Sequence, residues 1–405
     1  LLTGCTTIGQ NMGTYKDRKP FGGLNKFRSS IMEIHPCWTL SNIILIPIYH
    51  PVNAVAMPDK VPIMELDLQK IGWIYNDVKE NGTEKYLSPK DKEYLYCTKF
   101  EEVIHELSGI LLKIEKQPIL VSLDIETMFH GIIDCIGIAI SKDRGFCIPF
   151  AKLGEPNIWS AEQETEIMLL LRSIMLHPNC LHIGQHYNYD CQYYYSIWGM
   201  EVNATHDTMI LHHILYNYLP KDLAFLASLY CEVYKYWKDQ SEAHQETPET
   251  RWIYNAQDVC YTLEILEPLL DILSTRPEKQ QKLYKFQINE LSPILKERMN
   301  KGIRIDKGLK EEYYKFFSEI LLDIQKNINE MLGMEFNTNS SPQKVKLFRD
   351  FFGMTLKKSK KGTDTCDAKA MLSYIEEYPE YKPFLSLLLE QSSLKVFTNN
   401  FLGMR

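Results

Sequence analysis

Apolar and polar positions along this chain switch between two periods. Residues 118–127 (PILVSLDIET) stay apolar until two acids close the run, which predicts a strand buried on both faces. Residues 100–114 place apolar side chains at helical spacing. The short runs 135–141 (CIGIAIS) and 145–150 (GFCIPF), joined by Lys142-Asp143-Arg144, predict a hairpin. An amphipathic helix is expected over 161–176 and another strand over 180–186 (CLHIGQH). Strand, hairpin, helix and strand make a mixed sheet with helices packed on it, an α/β domain. Before it, 42–49 (NIILIPIY) predicts a buried strand running into His50-Pro51, and 81–92 (NGTEKYLSPKDK) reads as a linker. After it, 252–265 (WIYNAQDVCYTLEI) is strongly helical. From about 276 the pattern is helical throughout, with stretches over 282–300 and 309–332 and a Ser-Ser-Pro helix start in 340–348.

Composition adds bounds. The 405 residues, 45% hydrophobic and 24% charged, suit two or three globular domains. A net charge of -7 argues against a wholly basic nucleic-acid coat, yet a nuclease can keep acids at its centre and its basic residues local. The 10 cysteines contain no Cys-x-x-Cys pair, so reduced thiols in a cytoplasmic setting are expected rather than a disulfide framework or a zinc site. No apolar run reaches membrane-spanning length, so no membrane partner is expected. The chain opens with LLTG and has no initiator Met, as if cut from something longer.

The candidate chemistry begins with Asp124 and Glu126. In a strand, residues two apart point to one side, and these two stand at the carboxyl end, where open α/β sheets place ligands. Two such close negative charges call for a cation or a shared proton, and a hard divalent metal held by oxygen fits. Alone, an Asp-x-Glu is more often a solvated strand exit. Asp190, in 184–195 (GQHYNYDCQYYY), follows the next strand and could face Asp124 across a crevice; in isolation it reads better as an acid at a helix N-terminus. Asp207 reads as the N-cap of the helix after it. Tyr254 and Asp258, four apart, share one helix face.

The order of these groups resembles the DEDDy 3′–5′ exonucleases, which use four acids and a tyrosine. Together LDIET, GQHYNYD, HDTMILHHIL, LASLYCEVYKYWKD and YNAQDVCYTLEI are similar to the exonuclease domain of family A DNA polymerases, with a phage-like flavour, over 86–275. His186 stands where that family commonly shows Asn. In 276–405, MNKGIRID, FNTNSSPQKVKLF and KKSKKG resemble the start of a helical thumb, which grips primer-template. Lys357, Lys358, Lys360 and Lys361 would then neutralise phosphates, although charge runs are more often solvated faces. In 1–85, LLTG, IPIYHPVNAV and ELDLQKIG resemble the second half of a uracil-DNA glycosylase-type domain, which would make His50 a base-pocket residue beside a folding remnant.

These resemblances imply a ribonuclease H-like exonuclease domain, a partial α/β glycosylase-like segment and a helical thumb-entry region. They imply hydrolysis of DNA from a single-stranded 3′ end with two Mg²⁺ or Mn²⁺ ions, as the proofreading part of a replicative polymerase. Asp124, Glu126 and Asp258 would hold one ion, Asp124 and Asp190 the other. Tyr254 would orient the attacking water, and the backbone at Thr127 would contact the terminal nucleotide. The remaining partner would be the rest of a polymerase chain, since paired palm aspartates and a nucleotide-binding fingers helix are not found. If phage-derived, the setting is the host cytoplasm. Two rivals remain at this point: an RNA-trimming exonuclease of the same fold, and a DNA-binding module with idle acids.

Overall fold

The computed structural model describes residues 27–33, 44–52, 58–89, 91–128, 131–151, 157–237, 247–359 and 362–403. It divides into two compact units, Leu1–Gly302 and Ile303–Arg405.

The first unit begins with a two-residue antiparallel ladder, β1 (Met32–Glu33) on β2 (Ile44–Leu45), followed by the long helix α1 (Val61–Asn81) and the single turn α2 (Glu84–Leu87). The strand expected over 42–49 is therefore short among the described residues. Pro47 supplies no N–H for a ladder, and its carbonyl accepts from Ser29 N at 2.8 Å instead. The linker expected over 81–92 is also not plain loop. Tyr86 in α2 is buried and its hydroxyl donates to Asp77 Oδ2 at 2.6 Å.

The main sheet comprises β3 (Glu93–Tyr96), β4 (Ile119–Met128), β5 (Ile132–Ser141), β6 (Arg144–Pro149), β7 (Cys180–Gly184) and β8 (His206–Asp207), in the order β3-β6-β5-β4-β7-β8. β5 is antiparallel to β4 and β6, while the pairs β3/β6, β4/β7 and β7/β8 are parallel. This is the mixed sheet that the sequence pattern predicted, flanked by helices. Helices α3 (Phe100–Ile114) and α4 (Ala161–Met175) cover one face, where Leu107, Ile114, Ile167 and Leu171 pack with Val121, Leu123 and Ile125 of β4. Ser160 starts α4 with a complete capping box to Gln163. Because Val121, Leu123 and Ile125 are spent on that face, Asp124 and Glu126 must point to the other.

Helices α5 (Asn188–Trp198), α6 (Thr208–Leu215) and α7 (Leu223–Tyr230) follow, and then α8 (Pro248–Ser274), which lies against the opposite face of the sheet. Asp207 caps α6 as expected, accepting from Met209 N and Ile210 N at 2.9 and 3.1 Å. Two glycines set the approach of α8. A Cβ at Gly137 would lie 2.6 Å from Asn255 Oδ1, and one at Gly145 would lie 2.7 Å from Ala256 O.

Helices α9 (Glu278–Phe286) and α10 (Ser292–Lys301) belong to this same unit. Tyr284 OH meets His206 Nδ1 at 3.1 Å, and Lys296 Nζ donates to Val202 O at 2.6 Å. The boundary between the two compact units falls after Gly302. The described residues of 1–85 likewise pack within this unit, with Lys70 Nζ donating to Ser228 O at 2.7 Å and Ile31 N to Tyr234 O at 3.0 Å.

The second unit is helical: α11 (Lys307–Leu332), α12 (Ser341–Lys346), α13 (Ala368–Glu377) and α14 (Lys382–Phe397). Its own core gathers Ile324, Ile328, Phe348, Met371, Tyr374 and Leu385. No described helix is long and apolar enough to cross a membrane.

Candidate active site

β4 delivers the first two acids. Asp124 is paired across the ladder with Gly137 and Glu126 with Cys135, and the register then shifts between Glu126 and Thr127, a bulge that bends the strand end. The β7 ladder stops at Ser122 paired with Ile183, which leaves the later N–H groups of β4 without a strand partner on that side. Asp190, in the first turn of α5, takes over: its Oδ1 accepts from Ile125 N at 3.0 Å, between the two strand acids. Asp190 is buried, and burial pushes its carboxyl well above the usual carboxylate range; the Ile125 N–H opposes this shift, and the charges of Asp207 and Glu126 add to it.

The last two groups come from α8. Tyr254 and Asp258 are both buried on the face turned to the sheet. Burial, and then the charges of Asp258, Glu126 and Asp124, hold the Tyr254 phenol far above its ordinary value, so it stays protonated. Asp258 Oδ1 accepts from Trp237 Nε1 at 2.7 Å, and the Trp237 ring stacks on Tyr261 at 4.1 Å. The five candidates Asp124, Glu126, Asp190, Tyr254 and Asp258 are thus brought to one end of β4, against α8.

Two side chains of the site escaped the sequence reading. Arg251 ion-pairs with Asp134 (2.9 Å) and Glu126 (3.4 Å), and its Nη2 donates to Thr127 O at 2.9 Å. Asn255 Nδ2 donates to Asp124 Oδ2 at 2.7 Å and to Asp124 O at 3.2 Å. Arg251 was within reach of pattern reasoning: 251, 254 and 258 repeat at helical spacing on one face of α8.

A divalent ion suits this donor set by chemistry, since hard carboxylate oxygens converge there. Each acid is nonetheless engaged with a protein group, and among the described residues no three His, Cys, Asp or Glu side chains stand close enough to hold an ion as placed.

The other candidates lie elsewhere. Thr127 is at the site's edge, its Oγ1 3.1 Å from Tyr189 OH. His50 is exposed and accepts from Val52 N at 3.1 Å through Nδ1, a local turn contact. Lys357 pairs with Glu377 at 3.1 Å and Lys358 with Asp364 at 2.5 Å; Lys360 and Lys361 lie outside the described residues.

The mixed sheet has the ribonuclease H-like fold, and its candidate acids gather at the end of β4 against Tyr254 and Asp258 of α8. Residues 98–274 match a family model described as 3′–5′ exonuclease, that of the family A DNA polymerases, and the matched stretch contains all five candidates. This part of the chain is a 3′–5′ exonuclease domain, and the chain is an enzyme on that account. A solved structure titled the POL domain of Pol1 from M. smegmatis, in complex with DNA primer-template and dNTP, is similar at 18% identity and a TM-score of 0.49. The similarity covers 76% of this chain and 50% of that one, so the chain spans about half the length of that protein.

Proposed function

We propose that this chain hydrolyses DNA from its 3′ end, one nucleotide at a time, as the proofreading part of a family A DNA polymerase. The observation that carries the reading is the convergence of Asp124, Glu126 and Asp190 with Tyr254 and Asp258 at one strand end. Mg²⁺ or Mn²⁺, bound by these four carboxylates, would supply charge stabilisation and an acidified water. Tyr254, held protonated by burial and then by the neighbouring acids, serves as a hydroxyl that orients the attacking water and not as a base. The Thr127 backbone at the bulge would meet the terminal nucleotide.

Finer assignments rest on the motif resemblances alone: phage-like character, a role in replication in a host cytoplasm, a glycosylase-like remnant with His50, and a thumb entry in 276–405. For Lys357 and Lys358 to hold phosphates they would exchange the exposed ion pairs with Glu377 and Asp364, which costs little.

Digestion of 5′-labelled single strands with Mg²⁺ tests the function. A ladder shortening from the 3′ end of DNA is expected, with RNA ends cut poorly. Asp124→Ala should lose about a thousandfold, about 4 kcal/mol of transition-state stabilisation. Adding Glu126→Ala should lose little more, because residues acting as a unit are not additive. DNA left intact by the parent chain yet still bound would leave only a binding module. Equal cutting of RNA would favour a trimming nuclease.

A further inference from the structure

Asn255 is wholly buried, one residue past the tyrosine of the site. Its amide N–H groups reach both the side chain and the carbonyl of Asp124, at 2.7 and 3.2 Å. Two contacts to one residue fix the rotation of that carboxylate as well as its place. The other end of the amide is costly: Oδ1 is buried with no hydrogen-bond partner. It points at Gly137, which is the ladder partner of Asp124 and where a Cβ would come within 2.6 Å of it. A side chain kept only for packing has no reason to be an amide here, since leucine fills a similar volume without the orphaned oxygen. Glu126 is treated differently, because Arg251 one turn earlier on α8 brings it a positive charge. The neutral amide holds Asp124 and leaves its negative charge undiminished.

We propose that Asn255 is a positioning residue, which presets Asp124 for a divalent cation, and that Gly137 is bare so that this amide can reach the strand. The inference rests on the reading of the acids as a metal site. Outer partners that orient a ligand are worth tenfold to a hundredfold in metal affinity.

The test is Mn²⁺ binding to the full chain without nucleic acid, followed by the electron paramagnetic resonance signal of free Mn²⁺, with the melting temperature of the metal-free protein measured alongside. Asn255→Leu should weaken Mn²⁺ binding by about 10- to 100-fold. Asn255→Ala, which cannot overpack, should do the same. Variants that melt differently but bind Mn²⁺ as the parent does would overturn the inference, leaving Asn255 a packing residue. So would loss of the folded state in both variants, which would make the side chain's work structural. A parent that binds no Mn²⁺ would sink the metal-site reading itself, and this inference with it.

Discussion

His212 in α6 is fully buried, with Nδ1 2.9 Å from Tyr230 OH. Burial, with Lys221 nearby, lowers its pKa from the ordinary 6.5 to about 4. A histidine neutral in the folded chain and protonated when unfolded favours unfolding as acid is added. Its contribution is therefore complete above pH 6.5 and is lost as pH falls towards 4, to the extent of about 3 kcal/mol. Urea midpoints at pH 7 and pH 4 should show this loss, and His212→Gln should show a drop smaller by that amount.

His186 makes a second point at the same scale. It adopts a left-handed backbone, φ 60°, and donates its N–H to Asp207 Oδ1 at 3.2 Å. The exonuclease resemblance has Asn there, and Asn tolerates that conformation better than most side chains. The departure thus bears on backbone strain. His186→Asn should raise stability by about 0.5 kcal/mol in chemical denaturation and leave the acids' chemistry unchanged. Such a constraint cannot be read from composition or period, because φ is set by the turn that joins β7 to α5.

Among the elements, α8 does most to build the site, and its approach depends on charges and on missing side chains. Asp134 on β5 is buried, and Arg251 is its ion-pair partner. Arg251→Met should cost about 3 kcal/mol by leaving that carboxylate buried and alone. With Asp134→Asn already present the same change should cost much less, a coupling of about 2 kcal/mol in a double-mutant cycle. Additive losses would mean that Arg251 acts through Glu126 or Thr127 instead. At Gly145 an added Cβ would meet Ala256 O and Cys260 Sγ, both at 2.7 Å, so Gly145→Ala should destabilise by about 2 kcal/mol.

The strand acids and the helical Tyr-x-x-x-Asp were legible because periods of 2 and 3.6 fix which side chains share a face. Asn255 and Gly137 were not singled out, since an amide and a glycine gain meaning only when the register of β4 on β5 brings them together. The two-residue β2 shows the opposite failure: the apolar run at 42–49 contains Pro47, and hydrophobicity alone outvoted the missing N–H.

Over the whole molecule, helical periodicity after 276 says that an apolar face exists but not what it packs against. Ile288 joins the core built by α6, α7 and α8, and Lys296 reaches the carbonyl of Val202, so α9 and α10 extend the first unit. Beyond Lys301 the chain turns at Gly302, whose φ is 64°, and residues 302–306 are exposed without regular structure. Arg304 lies in that stretch, and α11 begins only at Lys307. Exposed loops between compact units are the places where proteases nick first. Limited trypsin digestion should cut after Arg304 before other sites and leave two resistant pieces. The smaller should keep a cooperative, helical melt, because Ile328, Phe348, Tyr374 and Leu385 form a core of its own. The larger should keep whatever exonuclease activity the intact chain has, since all five site residues lie within it. Rapid loss of the smaller piece to peptides would mean that its core is not sufficient alone, and the cut chain would then melt as one unit rather than two.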